Sequence, residues 1–159
     1  MSVRSNDLLA STGLLILRVG FGAYMISHGW GKLQRLTGGE FEGFPDPLGI
    51  GSTASLIGAV GAEVFCALLV LIGFATRAAA VPVVFTMAVA AFIIHANDPW
   101  TMGGDGGSKE PALLFLFAFL TLICTGPGRL SIDAVLWPAL KRKRIARQAA
   151  QAGVAAKSR

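Results

Sequence analysis

The sequence predicts an all-α integral membrane protein, a four-helix bundle with Gly-rich outer loops and a basic cytoplasmic C-terminal helix or tail. Apolar residues make up 53% of the 159-residue chain and charged residues only 14%, about half the charged share of a soluble domain. Four apolar runs follow one another along the chain, and Lys and Arg are concentrated in some of the connecting segments. A soluble helical protein is the minor alternative.

The first two predicted spans cover residues 8–28 and 53–74, and each contains one charge near its middle. The first run is about 20 residues long and lacks an early cleavage site, so we expect a retained helix rather than a signal peptide. The two charges are Arg18 and Glu63. Because a charge at mid-bilayer costs about 2.5–3.5 kcal/mol on insertion scales, both should face the bundle interior.

The third and fourth predicted spans cover residues 78–95 and 110–126. Pro82 lies near the start of the third, where proline is tolerated best, and Pro111 suits the first turn of the fourth. The fourth run is short, and we expect flanking Gly and polar residues to lengthen it. These spans define a membrane domain over residues 1–137, followed by a basic cytoplasmic tail over 138–159.

The distribution of Lys and Arg predicts that both termini are cytoplasmic. This orientation places ten of the fourteen basic residues inside and three in the outer loops, with Arg18 in the membrane. A basic run after Trp137 is expected to anchor the tail on anionic lipid headgroups. The net charge of +5 therefore indicates contact with the bilayer, and no nucleic-acid partner is predicted. The anchor residues are Lys141, Arg142, Lys143 and Arg144.

A polar pocket is predicted at the outer side, under two Gly-rich loops that cover residues 28–52 and 95–110. At 1.5 Å per residue, Arg18 lies about 15 Å below His28. Glu63 lies equally far below Thr53, so we expect Arg18 and Glu63 to contact each other directly or through water. The predicted pocket residues are Arg18, His28, Lys32, Glu63, His95, Lys109 and Glu110.

Each of these groups has a structural as well as a functional interpretation. The buried charges either hold helices together or form a proton or ligand site. The two histidines either bond to loop carbonyls, or line a polar pocket, or ligate a haem or metal, and ligation is the weakest of these three interpretations. No metal site is predicted from ligand spacing. Cys66 and Cys124 are single residues in apolar runs, so we expect them to pack rather than to catalyse.

Several motifs, spread over all four spans, resemble motifs of the DoxX family and occur in the same order along the chain. The resemblance covers roughly residues 8–137, whereas the basic tail lies outside it. Leu130 departs from the pattern, because members often carry an aromatic residue there. The motifs are Leu17–Gly22, Ser27–Leu33, Phe44–Gly49, Glu63, Leu71–Arg77, His95, Glu110 and Thr125–Asp133.

The resemblance implies a bacterial inner-membrane protein with a four-helix bundle. Some relatives are linked to redox work, as a thiosulfate:quinone oxidoreductase subunit or as the membrane partner of a superoxide dismutase and a sulfurtransferase in an oxidative-stress complex. We therefore expect a redox-associated subunit that binds a quinone or a small sulfur species near the outer face. If it is an enzyme, it is a subunit of a membrane oxidoreductase that works with a soluble redox partner or a second copy. The alternative is a non-catalytic scaffold, an assembly factor or a small-molecule carrier.

Overall fold

The structure is a computed structural model that describes residues 3–102 and 107–157. These residues form five helices and no strands, which confirms the all-α fold class. Three helices are long and apolar enough to cross a membrane, and α4 is a shorter apolar helix. The helices are α1 (Val3–Gly38), α2 (Ser52–Ile72), α3 (Thr76–Ile94), α4 (Glu110–Thr125) and α5 (Ile132–Lys157).

Helix α1 is longer than predicted, since it ends at Gly38 rather than at residue 28. Gly29 and Gly31 suggested a loop, but both are helical. Gly29 lies against α2 so closely that a Cβ there would be 2.9 Å from Glu63 Cβ. The extension also packs Leu33 and Leu36 against a small apolar cluster. The first loop is therefore residues 39–51.

Helices α2 and α3 each contain one π-helical turn, Gly61–Cys66 and Ala90–Ile94. Such turns insert an extra residue into an α-helix and occur frequently at functional sites. The turn in α2 contacts both α1 and α3. It contains Glu63, which is fully buried.

The bundle has two ends, which we call the loop end and the terminal end. The loop end carries residues 39–51 and 95–109. Residues 103–106, part of the predicted Gly-rich cap, lie outside the described part of the chain. The terminal end carries the tight turn 73–75, residues 126–131 and the start of α5.

Asp133 ties the terminal end together. Its carboxylate accepts hydrogen bonds from the backbone N–H of Ala75 at 2.8 Å and of Thr76 at 2.9 Å, where α3 begins, and from Trp137 Nε1 at 3.0 Å. The two backbone donors would otherwise be unpaired at the start of α3. Burial raises the pKa of Asp133, but the hydrogen bonds outweigh it, and the pKa is lowered from its ordinary value.

Candidate functional site

Lys32 and Glu63 form a partly buried ion pair between α1 and α2. Lys32 Nζ bonds both carboxylate oxygens of Glu63 and lies 2.6 Å from Oε2. The Glu63 side chain is 1% exposed and that of Lys32 is 26% exposed. The missing side chain of Gly29, one turn before Lys32, lets the two helices approach at this level. The charge of Glu63 is thus compensated by a residue that the sequence placed in an outer loop.

The predicted contact between Arg18 and Glu63 is wrong. Arg18 is 1% exposed, and its guanidinium donates to the carbonyls of Val70 at 3.4 Å and Leu71 at 3.2 Å, and to that of Leu130. It thereby pairs carbonyls at the C-terminal end of α2, which lack partners within the helix, and joins them to the segment before α5.

The pairing was wrong because Glu63 lies at a different height along the bundle axis from Arg18. Because α1 continues to Gly38, the start of α2 is level with that end, and Glu63 comes to lie beside Gly29. Gly29 is eleven residues beyond Arg18, which is about 16 Å along the helix. The two charges therefore belong to different layers of the bundle.

A cavity of about 320 Å³ lies between α2, α3 and the first loop, and we call it the lateral cavity. Lys32 and Glu63 form part of its wall, and most of the remaining wall is apolar. Gly58, Pro82 and Phe85 line it and are also exposed at the helix surface. Since exposed apolar residues of membrane-spanning helices face lipid, the cavity communicates with the lipid-covered surface. Its loop side is lined by Phe44, Pro45, Pro47, Leu48 and Ile50.

A second cavity of about 390 Å³ lies between α1, α3 and α4, and we call it the loop-end cavity. Its polar lining consists of His28, Lys32, His95 and Ser108. The two cavities share a thin wall made of Lys32, Phe44, Pro45, Ala90 and Ile94. Lys32 therefore borders both spaces.

The two histidines border the same cavity, as they would in a polar pocket. The His28 ring centroid lies 6.0 Å from that of Phe115. His95 Nδ1 lies 2.7 Å from Asp98 Oδ2, and this contact fixes the orientation of the ring within the second loop. A role of either histidine in ligand binding stays a prediction.

Lys109 and Glu110 contact the second loop and do not line the two cavities described above. Lys109 Nζ donates to the Ala96 carbonyl at 2.8 Å and lies 4.9 Å from the centroid of the Trp100 ring. Glu110 Oε2 accepts from the backbone N–H of Met102 at 2.7 Å. These contacts fasten the loop to the start of α4, and a ligand-binding role for them stays a prediction.

Sequence reasoning placed Lys32 in the pocket but missed its partner. One signal was present: His28 and Lys32 are four residues apart, so they share a face if α1 continues. Among the described residues, no cluster of three or more His, Cys, Asp or Glu could hold a metal ion. Cys66 is half-buried, Cys124 is exposed, and both are free thiols.

Comparison with known proteins gives one family and two relatives. The family model DoxX matches residues 13–96, more than half of the chain, including Lys32 and Glu63. The inner membrane protein YqjF of Escherichia coli K12 is 30% identical over 129 residues, which are 80% of this chain and 95% of YqjF. An uncharacterized protein of Haemophilus influenzae is 33% identical over 78 residues, which are 49% of this chain and 50% of that protein. The chain therefore matches about half the length of this relative. No solved structure matches.

Proposed function

The chain belongs to the DoxX family, and from this premise we propose that it binds a quinone in the lateral cavity as a redox-associated subunit of the bacterial inner membrane. One observation carries the proposal: an apolar cavity of about 320 Å³, open to the lipid-covered surface, has in its wall an ion pair between the buried Glu63 and the partly buried Lys32. Small-molecule pockets are typically about 300–1,000 Å³ and mostly apolar, with a few placed polar groups.

Lys32 is the residue that we expect to recognise the ligand. An ammonium group has three donors, and two of them are directed to the Glu63 oxygens. Among the described residues the third has no partner, and we expect it to donate to a carbonyl oxygen of a quinone ring. Glu63 holds the ammonium group in place.

The apolar part of the wall suits the rest of such a molecule. Phe44 is half-buried beside Lys32 and offers a ring for contact with the head group, whereas Phe85 lies at the lipid-facing opening, where an isoprenoid tail would leave. When bound, a quinone carries two electrons and two protons between redox partners. A small sulfur anion fits this cavity less well, because an apolar wall does not compensate for the loss of its hydration.

The orientation that we propose has both termini in the cytoplasm, which puts the loop end and both cavities on the outer side. The surplus of Lys and Arg at the terminal end supports it. The four basic residues of α5, Lys141, Arg142, Lys143 and Arg144, are exposed. We propose that they rest on anionic lipid headgroups, and that a soluble redox partner or a second copy completes the electron path.

Binding of a short-chain quinone tests the proposal with a matched pair of variants. Gly58 lines the lateral cavity, and a Cβ there would meet nothing within 4 Å, so Gly58→Leu adds a bulky side chain at the cavity wall where there is room for its first carbon. A Cβ at Gly31 also meets nothing within 4 Å, and Gly31 lines neither cavity. Gly31→Leu is therefore the control.

We expect decylubiquinone to be retained by the purified wild-type protein in lipid nanodiscs and by Gly31→Leu, and to be lost from Gly58→Leu. Lys32→Met should weaken binding about 10-fold or more, since a hydrogen bond from a charged group contributes about 1.5–3 kcal/mol. Equal retention by wild type and Gly58→Leu would contradict the proposal and favour a scaffold or a carrier.

A further inference from the structure

We propose that the loop-end cavity is a water-filled chamber that connects the Lys32–Glu63 pair to the aqueous phase at the loop end and lets the pair exchange protons. The observations that support the chamber are independent of the proposed quinone site. Only the use of the protons that it supplies rests on that proposed function. Quinone in the lateral cavity and water in the loop-end cavity would then meet at Lys32.

The first observation is a buried hydroxyl group that lacks a partner. Ser108 is 8% exposed, and among the described residues its Oγ has no hydrogen-bond partner. It lines the loop-end cavity. Leaving a buried polar group unpaired is costly, and buried water is the usual partner in such a position.

The second observation is the size and polarity of the space. A water molecule occupies about 30 Å³ of the liquid, so a cavity of about 390 Å³ has room for several. His28, Lys32 and His95 border it together with Ser108, and each can bond to water. An apolar cavity stays dry, whereas this one offers the two to four polar partners that a buried water needs.

The third observation is the position of Lys32 between the two cavities. Glu63 lines the lateral cavity, and Lys32 lines both. When Glu63 takes a proton from Lys32, the neutral amine takes one from chamber water, and a proton from the aqueous phase neutralises the hydroxide that is left. One proton thereby moves from the aqueous phase to the carboxyl group. The charged and titratable groups around this route are His28 and Lys32 on α1, Glu63 on α2, and His95 with Asp98 after α3.

Substituted cysteines test the chamber, in a background in which Cys66 and Cys124 are replaced by Ala. Ala112 lines the loop-end cavity and is 7% exposed. Ala118 on the same helix is also 7% exposed but lines neither cavity. The probe is the water-soluble, membrane-impermeant MTSET reagent. The cysteine thiolate attacks its sulfur, a disulfide forms, and methanesulfinate leaves.

We expect MTSET to modify Ala112→Cys at least about 10-fold faster than Ala118→Cys, because only the thiolate reacts and a thiol away from water stays protonated. Lys32→Cys should also react, and filling the chamber with Ser108→Leu, or with Ala112→Leu if the first variant fails to fold, should slow that reaction by a similar factor. Size-exclusion profiles of the variants control for folding.

Two results would overturn the inference. If MTSET modifies Ala112→Cys as slowly as Ala118→Cys, the cavity is dry. Lys32→Cys whose rate is unchanged by either filling substitution would mean that water reaches Lys32 through the lateral cavity instead. Neither result depends on quinone binding, so failure of the chamber and failure of the proposed function are distinguishable.

Discussion

Lys32 and Glu63 are 31 residues apart in the chain, and Lys32 Nζ bonds both oxygens of the Glu63 carboxylate. Two local features place them together: the π-helical turn that contains Glu63 and the absence of a side chain at Gly29. Lys32 borders both a space open to lipid and a space whose lining includes His28, His95 and Ser108. Proton and ligand chemistry at the loop end would therefore converge on one ammonium group.

The ion pair should show strong energetic coupling. Lys32→Met leaves a carboxylate buried without a counter-charge and should destabilise the protein by about 3–5 kcal/mol. Lys32→Met combined with Glu63→Gln should cost much less than the sum of the two single changes, because no charge is then left unpaired. Unfolding in detergent measures this as a double-mutant cycle, and additive effects would show that the pair is not coupled.

Arg18 should matter for stability but should not couple to Glu63. Arg18→Gln removes donors from carbonyls at the end of α2, and each carbonyl left unpaired costs about 1–3 kcal/mol. Because the two charges lie in different layers, Arg18→Gln and Glu63→Gln should add within about 0.5 kcal/mol. Arg35→Gln, on the same helix but bonded to the exposed Glu42 carbonyl, is the control and should have a smaller effect. A large coupling between Arg18 and Glu63 would revive the pairing predicted from the sequence.

Two neighbouring glycines of α1 should respond in opposite directions to alanine. Gly29→Ala would put a Cβ 2.9 Å from Val64 Cγ2 and from Glu63 Cβ, so α1 and α2 must separate and stability must fall. Gly31→Ala meets nothing within 4 Å and should stabilise the helix by up to about 1 kcal/mol. Thermal unfolding of both variants measures the difference, and similar midpoints would contradict the close approach at Gly29.

Asp133 should contribute a pH-dependent stability. Its pKa is lowered in the folded protein from its ordinary value of 3.8, so the folded state favours the carboxylate. The stabilisation is complete above pH 3.8 and is lost as the pH falls below that value through the lowered pKa. At neutral pH, Asp133→Asn should cost about 1–2 kcal/mol, as loss of a helix cap does. Unfolding curves of the two proteins should converge below pH 3.8; a constant difference would exclude this role.

The loop end and the C-terminus should lie on opposite sides of the cell membrane, because we expect four helices to cross it. With four crossings, Gly39 faces outward and the C-terminus faces the cytoplasm. Alkaline phosphatase fused at Gly39 should be active, whereas the same enzyme fused at the C-terminus should be inactive. Activity at both positions would mean that α4, the shortest of the apolar helices, does not cross.

The apolar runs made the helices predictable, since only long apolar segments suit a bilayer. The helix starts at Ser52, Thr76 and Glu110 lie within two residues of the predicted ones. The partner of Glu63 was not predictable in the same way, because it depends on how far α1 extends beside α2. Glycine in a single sequence signals a turn or a close helix contact equally well, and the contact at Gly29 appears only in three dimensions.

The length of α1 has a consequence for how the protein sits in its membrane. Its 36 residues extend about 54 Å, whereas the hydrocarbon core of a bilayer is about 30 Å thick. The helix must therefore lean, or turns at one or both of its ends must extend beyond the hydrocarbon core. The depth of Lys32 then depends on acyl-chain length, and hydrophobic mismatch becomes a physical variable that sets how dry the ion pair is. A thicker membrane should bury the pair more deeply, and a thinner one should expose it.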